Sequence, residues 1–245
     1  LDTSVERLLP PESLSGIPEA AAVIRDAVAR GERIAVYGDY DVDGVTATCV
    51  LTDALRRMGA DCIYYIPDRL TEGYGLHDES IDRLAAEGVR LIVTVDTGIT
   101  AAAEVRRLHE RGVRVVVTDH HECPSVLPDA EAVVNPKNPA CDYGFRELAG
   151  VGVAFKLVCA LLGDPHEALD RYSELVALGT VADVMPLRSE NRVIVNYGLR
   201  RIPETKNAGL AALCREAGLN AGKPVSARRT PRPAAPAAAA ASSGA

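Results

Sequence analysis

Short, near-continuous runs of Val, Ile and Ala alternate along this chain with longer stretches in which apolar residues return every three or four positions. The first rhythm is that of a strand buried on both faces, the second that of an amphipathic helix. Residues 17–30 read as a helix closed by Gly31, and a strand follows in residues 34–44, IAVYGDYDVDG, whose apolar part ends abruptly in acids. Residues 45–58 read as a helix stopped by Gly59, and residues 62–67 as a second strand. The pattern repeats with a helix over 77–87, a strand over 91–96, a helix over 100–111 and a strand in VRVVVTDHH, and residues 131–136 add one more strand. Glycine just beyond a helical run is a natural stop, because it adopts the left-handed backbone without a Cβ penalty. Strands and helices in this alternation predict an α/β fold with a doubly wound, mainly parallel sheet covered on both faces.

Beyond Pro139 the strand pattern ceases, and residues 147–162, 167–183, 191–202 and 208–217 all have helical spacing. The expected organisation is an N-terminal flank over 1–16, an α/β core over 17–140 and a helical continuation over 141–222. Residues 223–245 are rich in Ala, Pro and Arg and are expected to be a disordered tail, because such a composition has too little to bury.

A chain of 245 residues with 47% hydrophobic content can build a substantial core. The net charge of −7 excludes a generally basic nucleic-acid binder, and 4% aromatic residues without Trp excludes a platform of stacked rings. A metal site that handles phosphate brings its own positive charge, so the acidic balance leaves that class open. The six cysteines form no C-x-x-C pair, and Cys49 and Cys159 lie in apolar runs, which points to a reducing, cytoplasmic setting. No run of eighteen apolar residues and no signal-peptide pattern is present, so no membrane association is expected.

The acids give the chain its chemistry. Asp39, Asp41 and Asp43 follow the first strand, and alternation along an extended chain would place all three on one side. Close carboxylates repel by roughly 1 kcal/mol in water and about 4 kcal/mol near a protein surface, which calls for a compensating cation. The alternative is a solvated acidic loop. The third strand ends in Asp96 and the fourth in Asp119-His120-His121, while Asp183 interrupts the otherwise apolar GTVADVMP. Any one of these acids would serve as a helix cap. Together they meet where α/β sheets bind ligands, beyond the carboxyl ends of the strands. Hard oxygen ligands with one imidazole suit Mn²⁺ or Mg²⁺ better than Zn²⁺. Two such ions sharing a carboxylate activate water against a phosphoryl group, so phosphoester or phosphoanhydride hydrolysis is expected. A calcium-binding EF-hand loop fails because its twelfth position is Val50 and a strand precedes it. A phosphoenzyme built on Asp41 leaves Asp119-His120-His121 without a role. Dinucleotide binding would place a pyrophosphate against the acids of GDYDVDG.

GDYDVDG, VTVDTG, VTDHHE and GTVADVMPL, in this order, resemble the four motifs of the DHH phosphoesterases. RLTEGYGLH and AVVNPKNPACDYGFRELAGVGVAFKL are similar, more narrowly, to the RecJ branch of exonucleases that degrade single-stranded DNA from the 5′ end. The resemblance covers residues 17–225 and implies a two-metal enzyme using Mn²⁺ or Mg²⁺. By position it implies that Asp41 and Asp96 hold one ion and that Asp43, Asp96, His120 and Asp183 hold the other, with Asp96 bridging. It further implies that His121 faces the scissile phosphate and that Asp119 orients the histidine pair. Many members carry a histidine where this chain has Tyr37, a poor ligand at neutral pH. The implied partners are single-stranded DNA, a single-strand-binding protein and a helicase. The resemblance fades near Ala227, before the family's second, nucleic-acid-covering domain, so the chain as written is expected to be a weak or inactive nuclease. Other outcomes of the same resemblance are a phosphoesterase for oligoribonucleotides, cyclic dinucleotides or pyrophosphate, and a non-catalytic scaffold.

Overall fold

The computed structural model describes residues 3–219 and Val225. Its centre is a five-stranded, fully parallel sheet built from β1 (Arg33–Gly38), β2 (Cys62–Tyr65), β3 (Val89–Val95), β4 (Arg114–Thr118) and β5 (Ala132–Val134), in the order β2-β1-β3-β4-β5. Both faces are covered, as the unbroken apolar strands require. On one face, α1 (Ile17–Ala29), α2 (Val42–Arg57) and α5 (Gly150–Leu162) meet Ile34, Val36, Leu91, Val93 and Val116. On the other, α3 (Asp78–Ala86) and α4 (Ala102–Glu110) meet Ala35, Tyr37, Ile92, Val115 and Val117. Successive strand residues therefore alternate between two cores, as the pleat dictates.

The chain leaves β1 toward β2 on one side and returns to β3 on the other, which makes the carboxyl ends of β1 and β3 the topological switch point of the sheet. In register, Gly38 of β1 pairs with Val95 of β3, and Val95 with Thr118 of β4. The next residue on each strand is an aspartate: Asp39, Asp96 and Asp119.

The helical region is not set apart from the sheet. From Gly150 to Leu161 every residue of α5 is buried. The helix lies over the sheet, α6 (Pro165–Ala182) packs in turn on α2 and α5, and α7 (Ser189–Arg201) packs on α6; α8 (Ala208–Glu216) follows. Residues ahead of α1 join the same body: Leu14 is fully buried, the Leu9 N–H donates to Glu190, and the Leu9 carbonyl accepts from Lys156. The tail expected over 223–245 lies outside the described residues, save Val225, which packs beside Leu199 and Leu210. All six cysteines are free thiols, and no helix among the described residues is long and apolar enough to cross a membrane.

The helix expected to begin at Val45 begins at Val42. Asp41 is its N-cap, accepting from the Gly44 N–H at 2.9 Å. Asp43 therefore sits in the first helical turn, and Asp39, Asp41 and Asp43 do not line one side of an extended chain. A cap carboxylate satisfies one of the otherwise unpaired N–H groups of a first turn, and here that gain outweighs three more extended residues.

Candidate metal centre

Each acid is fixed by a local feature of the chain. Asp39 follows β1 and is buried, with its Oδ1 lacking any hydrogen-bond partner. The turn after it is so tight that a Cβ on Gly44 would lie 2.5 Å from the Asp39 carbonyl oxygen, so only glycine fits there. Asp43 is almost fully buried and accepts from the Gly150 N–H at 2.6 Å and the Val151 N–H at 2.8 Å. These are the first amides of α5, whose positive end thus faces a carboxylate. Asp96 closes β3 in the left-handed region (φ 60°), a backbone that aspartate tolerates better than most residues. Asp183 caps the carboxyl end of α6, and Val184 beside it has φ 58°, a strained value for a β-branched residue and of the kind that gathers at functional sites.

The two histidines diverge, as adjacent residues on an extended segment must. The buried His120 donates Nδ1–H to the Leu148 carbonyl at 3.2 Å. Its Nε2 is left facing Asp96 Oδ1 at 3.1 Å, Asp183 at 3.8 Å and Asp43 at 3.9 Å. His121 is about half exposed, with Nδ1 2.7 Å from Asp119 Oδ1. Asp119 is wholly buried; it also accepts from the backbone N–H of His120 and His121 and, through Oδ2, from Ile99.

Three groups of potential ligand atoms result, each within 4.8 Å of one another: Asp39, Asp41 and Asp96; Asp43, His120 and Asp183; and Asp96, His120 and His121. The structure thus gathers Asp41, Asp43, Asp96, His120 and Asp183, with Asp96 at the junction. Two readings of the sequence change, those of Asp39 and Asp119, and that of Tyr37 as a poor ligand is carried further. Asp39 joins Asp41 and Asp96, although it was not among the expected ligands. Tyr37 plays no part: it points into the opposite core, stacks against Tyr65 and donates its hydroxyl to the Gly75 carbonyl at 2.9 Å. Asp119 orients the ring of His121 alone, because the Leu148 carbonyl holds that of His120. The sequence reading also missed Tyr74, whose hydroxyl lies 3.3 Å from His121 Nδ1 and whose ring meets that imidazole edge-on. Its only signal was its position in RLTEGYGLH, between two glycines of positive φ.

Burial of like charges shapes the electrostatics. Burial, then the charge of Asp96, pushes Asp43 up to about 8; burial, then Asp41, pushes Asp96 up to about 9. Burial raises Asp39 and Asp183 as well. Asp119 goes the other way: burial would raise it, but the hydrogen bond and charge of His121 and two backbone N–H bonds outweigh that and hold it low. The hydrogen bond to Asp119 in turn lifts His121 to about 9. A cluster whose carboxylates resist ionisation, and in which buried Asp39 Oδ1 and Asp96 Oδ1 lack hydrogen-bond partners, suits a hard divalent cation.

The family model for the DHH family, N-terminal domain, matches residues 33–180, which include all these residues except Asp183. The chain belongs to the DHH family. Among its relatives is the single-stranded-DNA-specific exonuclease RecJ of Bacillus subtilis, 47% identical over 214 residues, an alignment covering 87% of this chain and 27% of that protein. A crystal structure of exonuclease RecJ bound to manganese superimposes with a TM-score of 0.77 at 45% identity, over 84% of this DHH chain and 52% of the other. RecJ of Thermus thermophilus superimposes in complex with Mn²⁺ (TM-score 0.76, 40% identity) and with Mg²⁺ (0.61, 34%); each match covers 90% of this chain, and they cover 32% and 28% of the other chains. The chain thus spans little more than a quarter of the Bacillus protein's length.

Proposed function

We propose that this chain forms the metal-holding catalytic domain of a RecJ-type exonuclease, which hydrolyses phosphodiester bonds of single-stranded DNA from the 5′ end. The observation that carries the reading is the placement of Asp96 between two ligand groups at the switch point of the sheet, in a DHH-family chain so similar to RecJ. Asp39, Asp41 and Asp96 would hold one Mn²⁺ or Mg²⁺; Asp43, His120 and Asp183, with Asp96 shared, would hold the other. Such a pair, when bound, supplies a water of lowered pKa and neutralises the oxygens of the phosphoryl group.

The chain's own residues do the rest. Leu148 fixes the His120 tautomer so that Nε2 presents a lone pair, the arrangement that metal-binding imidazoles need. The amides of Gly150 and Val151 keep Asp43 aimed inward. Asp119 holds His121 at the open side of the cluster and keeps it protonated, so that it can hydrogen-bond a phosphate oxygen and give a proton to the departing oxygen. Asp43, Asp96, Asp119 and His120 are buried, whereas Asp41, Asp183 and His121 leave the cluster open to solvent on their side.

In this reading residues 17–140 are the α/β core, 141–222 its continuation bearing Asp183, and 223–245 a tail. A single-strand-binding protein and a helicase would supply substrate, in the cytoplasm. Oligonucleotides labelled at either end, given to a version carrying the remaining length of its relatives, test the reading: loss of the 5′ label first is expected, and release from the 3′ end first refutes the polarity. Faster turnover of oligoribonucleotides, cyclic dinucleotides or pyrophosphate than of a long single strand would reassign the substrate. No hydrolysis with any divalent metal would reduce the chain to a scaffold.

A further inference from the structure

The ligand group of Asp43, His120 and Asp183 is assembled from distant stretches, and a side chain belonging to none of them ties two of those stretches together. Asn191, in the first turn of α7, is buried, and its Nδ2 donates to the Glu147 carbonyl at 2.6 Å and to the Pro186 carbonyl at 3.1 Å. Glu147 opens the segment whose Leu148 carbonyl holds His120 and whose Gly150 and Val151 amides hold Asp43. Pro186 lies in the connection from α6 to α7, three residues beyond Asp183.

Other contacts tie that connection to α6, α7 and the main core, but none of them ties it to the Glu147 segment by way of Pro186: the Met185 N–H donates to the Thr180 carbonyl at 3.2 Å, the Leu187 carbonyl accepts from Arg192 Nε at 3.0 Å, and Met185 packs against the core. Val184 itself is 84% exposed, so packing does not hold its side chain. Val184 and Ser189 both have positive φ, at 58° and 47°, so the backbone is held away from its preferred conformations. Two further bonds run parallel to those of Asn191: Arg188 Nε and Nη2 each lie 2.6 Å from the Glu147 carboxylate. The start of α7 is itself anchored, because Glu190, next to Asn191, makes a buried ion pair with Lys156 of α5 at 2.7 Å.

We propose that Asn191 is a positioning residue for the metal centre: by clamping the Pro186 and Glu147 carbonyls, it sets the reach of Asp183 to the ion shared with Asp43 and His120, and Arg188 assists it from the surface. The proposal rests on the metal reading given above. It assigns Asn191 no contact with metal or substrate. An amide side chain suits the task because its NH₂ donates two hydrogen bonds at a fixed angle, whereas an apolar residue of similar volume leaves both carbonyls unpaired.

The test is calorimetric titration of this chain with Mn²⁺ alone, well below its melting midpoint, for the unsubstituted protein, Asn191→Leu and Arg188→Ala. Asn191→Leu is expected to weaken one of two Mn²⁺ binding steps about tenfold, the low end of what loss of a ligand-orienting partner costs, and to leave the other step unchanged. Arg188→Ala, whose side chain is 67% exposed, weakens the same step by about two- to threefold, as a solvent-screened pair should. A purely structural role would lower the metal-free midpoint and leave both steps where they were, and that result overturns the proposal. Equal weakening of both steps overturns it too, since it would signal general loosening. If Asn191→Leu does not fold, Arg188→Ala decides alone, and unchanged titration refutes the clamp. Absence of Mn²⁺ binding in the unsubstituted protein would bring down the metal reading itself.

Discussion

Without metal, this protein should lose stability as pH rises through neutrality, and Asp96→Asn should remove much of that loss. An aspartate in the unfolded chain has a pKa of about 3.9, whereas burial beside Asp41 pushes Asp96 up to about 9 in the folded protein. Between those values the folded state holds a proton that the unfolded state has released. A raised carboxyl therefore makes stability fall with rising pH, by about 1.4 kcal/mol per pH unit for each such proton. From about pH 6 to about pH 8, Asp96 alone removes about 2.7 kcal/mol. Asp43, raised to about 8, acts in the same direction over the lower part of that interval. His121, raised to about 9, also favours the folded state below its unfolded pKa and loses that contribution as pH climbs; solvent screening keeps its share smaller. Set against a typical total of 5–15 kcal/mol, roughly speaking, the loss is large enough to read directly.

Urea unfolding followed by circular dichroism, in chelator and in Mn²⁺ at several pH values, measures these slopes. Mn²⁺ should restore stability most at the alkaline end, where the carboxylates give up their protons at least cost, by about 2.7 kcal/mol at a hundredfold excess over its dissociation constant. Asp96→Asn, neutral at every pH, should flatten the metal-free slope by about 1.4 kcal/mol per pH unit and forfeit most of the gain from Mn²⁺. A metal-free stability that is level or rises over this interval would refute the reasoning, and so would an Asn variant that keeps the parental slope.

Gly150→Ala would place a Cβ 2.4 Å from Asp96 Oδ1, so Mn²⁺ affinity measured by calorimetry should fall at least tenfold while the fold loses about 1–3 kcal/mol to overpacking. Tyr37→Phe removes the hydroxyl that serves the Gly75 carbonyl; it should cost about 1 kcal/mol in urea unfolding and leave Mn²⁺ titration unchanged, since Tyr37 faces away from the acids. Lys156→Met strands the buried carboxylate of Glu190 and should cost about 3–5 kcal/mol, most of it recovered when Glu190→Gln is added.

The sheet was legible because parallel strands buried on both faces must be apolar throughout, and the glycines after the helices mark where each turn begins. Asp96 and Asp119-His120-His121 were legible for the same reason, as charges at the ends of such strands. What escaped depends on contacts between distant residues. The Leu148 carbonyl against His120, the Gly150 and Val151 amides against Asp43, and Lys156 against Glu190 leave no periodic trace. Asp39 was seen but not placed among the ligands, because Asp41 caps a helix that starts earlier than its apolar pattern suggests. Tyr37 was expected to be a poor ligand, and the two-residue period of β1 sends its ring to the far core with Ala35, while Ile34 and Val36 face α2.

That period also explains how so acidic a centre can be encoded reliably. Gly38, Val95 and Thr118 share one row of the sheet, so Asp39, Asp96 and Asp119 start from equivalent positions just beyond it. A slip of β3 by one residue would carry Asp96 about 3.3 Å along the strand and turn its side chain to the other face. The acids themselves cannot resist such a slip, since their mutual repulsion favours anything that separates them. Resistance comes from the two cores. Leu91, Val93 and Val95 pack under α1, α2 and α5 while Ile92 packs against α3 and α4, and a one-residue shift would exchange these neighbours all at once. The apolar alternation along β1, β3 and β4 therefore fixes the spacing of the carboxylates, and the cation they would bind has only to offset their charge.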